Sequence, residues 1–160
     1  MTEDTITAEK LGIIASHGSL DSAYMPLILA TTAPALGMEA AIFFTFYGLE
    51  ILKKDSYEHL KIAPVANPAM PIPIPNIVGV LPGMTALATH MMNDWISKAG
   101  IATIPELLDL ALEEDVRLIA CQMTMDMMGI DKDELIDGVE FGGAATYLGY
   151  ISENAVTIAF

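Results

Sequence analysis

Val116-Arg117-Leu118-Ile119-Ala120-Cys121 runs directly into Gln122-Met123-Thr124-Met125-Asp126-Met127-Met128-Gly129. The first half, residues 116–120, reads as a buried strand that Cys121 closes. The second half reads as a turn into a short helix. Open α/β sheets bind and react with ligands at the carboxyl ends of their strands, and the chain's single cysteine stands at that edge. Two readings of Cys121 stay open. A thiol facing a helix N-terminus has a lowered pKa and an exposed thiolate; most free cysteines are small buried hydrophobes. Thr124 is placed to cap the helix, with Asp126 in its first turn, and the free N–H groups there suit a thiolate or a bound sulfur anion. One cysteine excludes a CxxC redox pair and any internal disulfide. Whatever Cys121 carries must pass to another molecule or to another copy of the chain.

Outward from this unit, residues 11–15 read as the first strand and Ser16-His17-Gly18-Ser19 as the turn after it. A helix over 20–36 ends at Gly37, a left-handed cap, with Pro26 and Pro34 predicting a kink or a late start. Residues 38–47 form the second strand, apolar enough to be buried on both faces of a parallel sheet. Residues 48–54 read as a short helix, and 55–82 as a long proline-rich apolar loop. An amphipathic helix spans 84–98, with Met84, Leu87, Ala88, Met91, Met92 and Trp95 on its core face. Thr103-Ile104-Pro105-Glu106 is a capping box opening a helix over 105–114. A helical turn at 131–136, a short strand with a glycine hinge at 139–143, a helix at 144–153 and a last strand at 155–160 complete the order. This alternation predicts an α/β fold: one domain over 1–160, a mostly parallel sheet of about five strands, helices on both faces and a flexible tail at 1–9.

The chain has 160 residues, 53% of them hydrophobic, with a mean hydropathy of +0.49. Disorder is excluded, and the excess apolar surface predicts a homo-oligomer. Twenty-one acidic against 7 basic residues give a net charge of −14, which excludes nucleic acid as a partner. An anionic substrate needs a local island of positive charge; Arg117 and Lys53-Lys54 are candidates, though lone basic residues usually decorate a surface. The polar, acidic start of the chain lacks a signal-peptide core, and with the cysteine count this points to a reducing cytoplasm. Residues 62–93 carry no charge, but Pro64, Pro68, Pro71, Pro73, Pro75 and Pro82 exclude a transmembrane helix.

Other chemistry-bearing residues are fewer. His17 ends the first strand, so a parallel sheet puts it on the same edge as Cys121, where it either favours thiol ionisation or bonds only to backbone. His90 and Asp94 are four apart and within hydrogen-bonding reach on a helix, an arrangement common as surface decoration. His59 has no evident partner. Eleven methionines with Cys121 and His90 are soft enough for Cu(I), but methionine is an ordinary core filler, and no metal or cofactor is expected. Motifs for dinucleotides, phosphates, zinc proteases and serine hydrolases are absent from the sequence.

Phe43-Phe44-Thr45-Phe46-Tyr47-Gly48, Leu81-Pro82-Gly83-Met84, Ala120 through Gly129, and Asp137-Gly138-Val139-Glu140-Phe141-Gly142-Gly143 together resemble the DsrE/DsrF/DsrH-like family, in its larger DsrE-like branch. The resemblance covers residues 10–160 and is most specific around Cys121. It implies a three-layer α/β/α sandwich, a homo-oligomer and a part in sulfur relay. A family cysteine at the end of the central strand holds sulfur as a persulfide or thiosulfonate and passes it to a partner such as a TusA-like carrier; Cys121 matches that position. His17, Gln122, Met123 and Thr124 are the accessory candidates beside it. The reading is a sulfurtransferase or sulfur carrier. Its alternatives are an oligomeric interaction module with an inert cysteine and a thiol peroxidase using an external resolving thiol.

Overall fold

The computed structural model describes residues 8–63 and 83–160. Five strands form one sheet in the order β4-β3-β2-β1-β5: β1 (Lys10–Ala15), β2 (Glu39–Phe44), β3 (Arg117–Cys121), β4 (Glu140–Gly142) and β5 (Ala155–Ala159). Every neighbouring pair is parallel, so all carboxyl ends lie on one edge. The helices are α1 (Leu20–Thr32), α2 (Met84–Ala99), α3 (Ile104–Glu113), α4 (Gln122–Met128) and α5 (Ala144–Tyr150).

The apolar runs of the central strands are divided by parity between two cores, because successive side chains point to opposite faces. Leu11, Ile13, Ala40, Ile42, Phe44, Leu118 and Ala120 pack against α1 and α3. Ala41, Phe43, Ile119 and Cys121 face the other way and meet Tyr147 and Tyr150 of α5. Right-handed crossovers explain the split. The chain steps from β1 to β4 in one direction, with α1 and α3 on one face, and α5 must cross back on the opposite face to reach β5. Among the described residues the α5 face is thinly covered. Tyr147 stacks on Phe43 with centroids 5.4 Å apart, and the buried Tyr147 and Tyr150 hydroxyls find no hydrogen-bond partner among the described residues. Burial first, then the charge of Glu39, pushes the Tyr150 phenol up to about 12, against the opposing charge of Arg117. Arg117 lies over the Tyr150 ring and grips Glu140 through Nε and Nη2 at 2.8 and 2.7 Å.

Local signals read from sequence hold in most places. Gly37 is left-handed at φ 75° and ends a 3-10 turn over Ala33–Leu36 that continues α1. Pro26 lies inside α1, which stops at Thr32, four residues before the predicted end. The Thr103–Glu106 capping box forms. The turn at 131–136 is a 3-10 turn over Lys132–Glu134. β2 is shorter than predicted, because Phe46–Ile51 winds into a 3-10 helix in place of a helix at 48–54. The helix expected over 144–153 stops at Tyr150.

Among the described residues the apolar stripe of α2 is only partly packed: Ile96 is buried and Met92 rests against the core, while Leu87 and Trp95 are 55% and 43% exposed. Of the tail at 1–9, residues 1–7 lie outside the described residues, while the Glu9 N–H bonds Asn154 O at 2.9 Å. Of the loop at 55–82, residues 64–82 lie outside them. Tyr57–His59 forms a 3-10 turn. No helix among the described residues is long and apolar enough to cross a membrane.

The loops after β1 and β2 touch backbone to backbone at the carboxyl edge. A Cβ on Gly48 would lie 2.1 Å from Ala15 O, and one on Gly18 the same distance from Tyr47 O. Gly149, inside α5, has nothing within 4 Å of its would-be Cβ. Gly48→Ala is therefore expected to lower the unfolding free energy by about 1–3 kcal/mol or more in urea denaturation. Gly149→Ala should leave it unchanged or raise it by roughly 0.5–1 kcal/mol. Equal effects would show that the contact between the two loops is not constrained.

Candidate functional site

Cys121 is at once the last residue of β3 and the N-cap of α4, with extended backbone at φ −69° and ψ 107°. Its parity puts the side chain on the α5 face among Ala41, Phe43, Ile119, Tyr147 and Tyr150, and it is 3% exposed. The helix therefore starts three residues earlier than a Thr124 cap would require. Thr124 lies inside α4 and is 99% buried, at 1% exposure. Its hydroxyl meets Thr45 Oγ1 at 3.0 Å and accepts from the Phe46 N–H at 3.4 Å.

That contact holds the start of the loop after β2 against α4. It also comes with strain: Phe46 sits at φ 48°, a left-handed conformation disfavoured for a bulky residue. The sequence places Thr45 and Phe46 in a stretch that carries the family resemblance but assigns neither a role at the site. The signal was present, since Thr45 is the polar residue that interrupts the apolar run Phe43-Phe44-Thr45-Phe46 where the strand ends.

These groups act on the sulfur in opposite directions. Burial works to raise the thiol pKa. The Thr124 hydroxyl and N–H, the Thr45 hydroxyl and the Met123 N–H favour the thiolate, and together they outweigh burial, so the net shift is downward. No capping hydrogen bond from the Cys121 side chain is formed among the described residues. The donors stand ready for the charged form. The start of a helix adds its own positive end.

The accessory candidates divide. Thr124 and Met123 contribute through hydroxyl and backbone, while the Met123 side chain is 71% exposed. Gln122 turns away and donates through Nε2 to Asp126 Oδ1 at 3.1 Å. Asp126 is exposed and lies beyond the first turn, where α4 carries no acidic residue, contrary to the sequence reading. His17 is exposed, with Nδ1 3.0 Å from Ser16 Oγ, and is not among the groups that set the Cys121 thiol. Asp94 bonds Lys98 at 2.6 Å in place of the suggested His90. Lys53, Lys54 and Arg117 are each paired with carboxylates. Among the described residues no three His, Cys, Asp or Glu side chains gather as a metal site.

A five-stranded parallel sheet flanked by helices on both faces, with a cysteine closing β3, an inner strand beside the central β2, and opening a helix, defines an α/β domain with a thiol at its carboxyl edge. Residues 7–159 match the model of the DsrE/DsrF/DrsH-like family, and the chain belongs to that family. It is 46% identical over 156 residues to the "Sulfur carrier protein DsrE2" of Allochromatium vinosum, covering 94% of this chain and 97% of that one. It is 30% identical over 161 residues to YrkE of Bacillus subtilis, with 99% of each chain covered. Among solved structures, the ychN protein from E. coli superposes with a TM-score of 0.52 at 13% identity, over 95% of this chain and 99% of that one. MTH1491 from Methanobacterium thermoautotrophicum gives 0.50 at 14% identity, over 94% and 98%. The two structures share the fold.

A thiol pKa depressed on folding adds stability above the unfolded pKa, and that contribution is lost as pH falls through the folded value. The unfolding free energy of the native chain relative to Cys121→Ser is expected to grow with pH across that interval. Thr124→Val should raise the thiolate titration, followed by ultraviolet absorbance, and flatten the pH dependence. A titration unmoved by Thr124→Val would show that the hydroxyl does not favour the anion.

Proposed function

We propose that this protein is a sulfur carrier in which Cys121 accepts sulfane sulfur and yields it to a partner thiol. The observation that carries the reading is the ring of donors from Thr45, Met123 and Thr124, which holds the thiol pKa down although the sulfur is buried. The 46% identical relative named as a sulfur carrier supports the same chemistry. The Cys121 thiolate attacks the outer sulfur of a donor. A Cys121–sulfur bond forms, the donor's sulfur–sulfur bond breaks, and the electron pair leaves on the donor's thiolate. The product is a persulfide, or a thiosulfonate where the transferred group carries a sulfonate. An acceptor thiolate then attacks the sulfur bonded to Cys121, and that bond breaks with its electron pair leaving on Cys121, a better leaving group for its lowered pKa.

The apolar wall of Ala41, Phe43 and Ile119 slows water and stray reductants. The acceptor is a thiol protein of the TusA-like kind, and the chain works as one domain in a cytoplasmic homo-oligomer whose contacts cover apolar side chains such as Leu87 and Trp95.

The 3% exposure of Cys121 favours a second reading, an interaction module with an inert thiol. Incubation with a persulfide donor, read by intact mass, separates the two. The native chain is expected to gain one sulfur atom per thiol while folded, and Cys121→Ser none. Labelling of Cys121 only after unfolding, or an adduct on Cys121→Ser, would overturn the carrier reading.

A further inference from the structure

Among the described residues α5 is the helix that packs over Cys121, and it buries two side chains against the sheet, Tyr147 and Tyr150, 4% and 7% exposed. Neither hydroxyl has a hydrogen-bond partner among the described residues. Outside α5 those residues leave no buried side-chain oxygen or nitrogen unpaired. Buried polar groups nearly always find partners. Thr124 shows the ordinary case: its buried hydroxyl meets Thr45 Oγ1 and accepts from the Phe46 N–H. Two orphans on one helix of seven residues set α5 apart.

The surroundings explain both orphans. The Tyr147 ring stacks on Phe43 and carries its hydroxyl out to β1, where a Cβ on Gly12 would lie 2.9 Å from Tyr147 Oη and 2.5 Å from Ile151 Cγ2. β1 is paired with β2 on one side and β5 on the other, so its backbone N–H and C=O groups are committed to the ladders. The hydroxyl seats in the notch left by the missing side chain and finds nothing there to bond. Over Tyr150, Lys10 Nζ and the Arg117 guanidinium stand 5.5 and 5.3 Å from the ring centroid. They touch the face of the ring and donate elsewhere, Lys10 to Tyr150 O at 3.4 Å and Arg117 to Glu140. Gly143, the N-cap of α5, has no side chain to cap the first turn.

We propose that α5 is the gate of Cys121: it lifts from the sheet while the α1–α3 side stays folded, and its two unpaired tyrosine hydroxyls set how often it does so. The proposal deepens the sulfur-carrier reading on which it rests, by giving a thiol that is 3% exposed a route to its reagents. Each hydroxyl loses its water when α5 closes and gains no partner in exchange. Opening restores that hydration, so both groups weight the equilibrium toward the open form. The Phe43–Tyr147 stack and the fit of Tyr147 and Ile151 against Gly12 weight it toward the closed form. The closed form keeps the sulfur among Ala41, Phe43 and Ile119, and the open form serves it. Removing a hydroxyl while keeping the ring therefore tightens the gate, and crowding the notch at Gly12 loosens it.

The test is the rate at which iodoacetamide alkylates Cys121 in the full chain, followed by intact mass at several urea concentrations below the unfolding transition. Labelling of the native chain is expected to be faster than global unfolding allows and nearly independent of urea, the mark of a local opening that exposes little surface. Tyr147→Phe and Tyr150→Phe are each expected to slow it by about tenfold, and Gly12→Ala to speed it by about as much. Neither tyrosine is among the groups that act on the thiol, so these changes in rate do not report a changed ionisation. Where Gly12→Ala does not fold, the two Phe variants decide alone. Phe variants that label as fast as the native chain would overturn the gate, and labelling that tracks global unfolding would overturn the gate and the carrier reading together. Loading of the same proteins from a persulfide donor separates the two. Slower labelling in the Phe variants with no loading of the native chain would keep the gate and remove the carrier; loading with no effect of the Phe substitutions would do the reverse.

Discussion

The site depends on one residue doing two backbone jobs. Cys121 must end β3 in extended geometry and begin α4 as its N-cap. The strand requirement fixes its parity and so its neighbours on the α5 face. The cap requirement turns the N–H groups of Met123 and Thr124 toward the sulfur. Neither alone would suffice. A cysteine in mid-strand would sit among aliphatic groups with its pKa raised, and one on a loop would ionise in solvent without protection. Placed at the junction, the thiol is both desolvated and surrounded by donors, and the donors win.

The position of that junction is held by contacts that cross the sheet edge. The loop after β1 and the loop after β2 approach so closely that Gly18 and Gly48 tolerate no side chain. Thr45 then reaches Thr124, and Phe46 accepts a left-handed backbone to place its N–H on the same oxygen. A strained non-glycine residue persists only where its surroundings compensate. Here the compensation includes satisfying a hydroxyl that is 1% exposed; left unpaired, such a group costs about 1–3 kcal/mol.

Much of this was legible in sequence because it is local. The apolar run of residues 118–120 with a polar turn after it, the capping box at Thr103 and the glycine at 37 each signal their structure within a few residues. What was not legible depends on partners distant in the chain. The stripe of α2 announces an apolar face, but periodicity says nothing of whether another element covers it, and among the described residues Leu87 and Trp95 stay open. The role of Thr45 needs Thr124, 79 residues away. Thr124 has the composition of a cap, yet the cap is decided by where β3 stops, one hydrogen-bonded register step that pairs Cys121 with Gly142. His17 does share an edge with Cys121, as parallel pairing requires. β2 lies between β1 and β3, and His17 stays exposed beside Ser16, apart from the groups that act on the thiol.

Among the described residues the layer over the α5 face is thin, and this bears on access to the buried Cys121 sulfur. α5 has seven residues and two buried residues, Tyr147 and Tyr150, against the long, doubly packed layer of α1 and α3 on the other face. Both of its buried hydroxyls go without partners among the described residues, so closing this helix over the sheet forfeits hydration that open tyrosines would keep. The Phe43–Tyr147 stack and the cations over the Tyr150 ring offset part of that cost. Local opening costs least where buried contacts are fewest, and among the described residues α5 is shorter than either α1 or α3 on the other face of the sheet. Under the carrier reading proposed above, shielding of the thiol and access to it fall to that same short element.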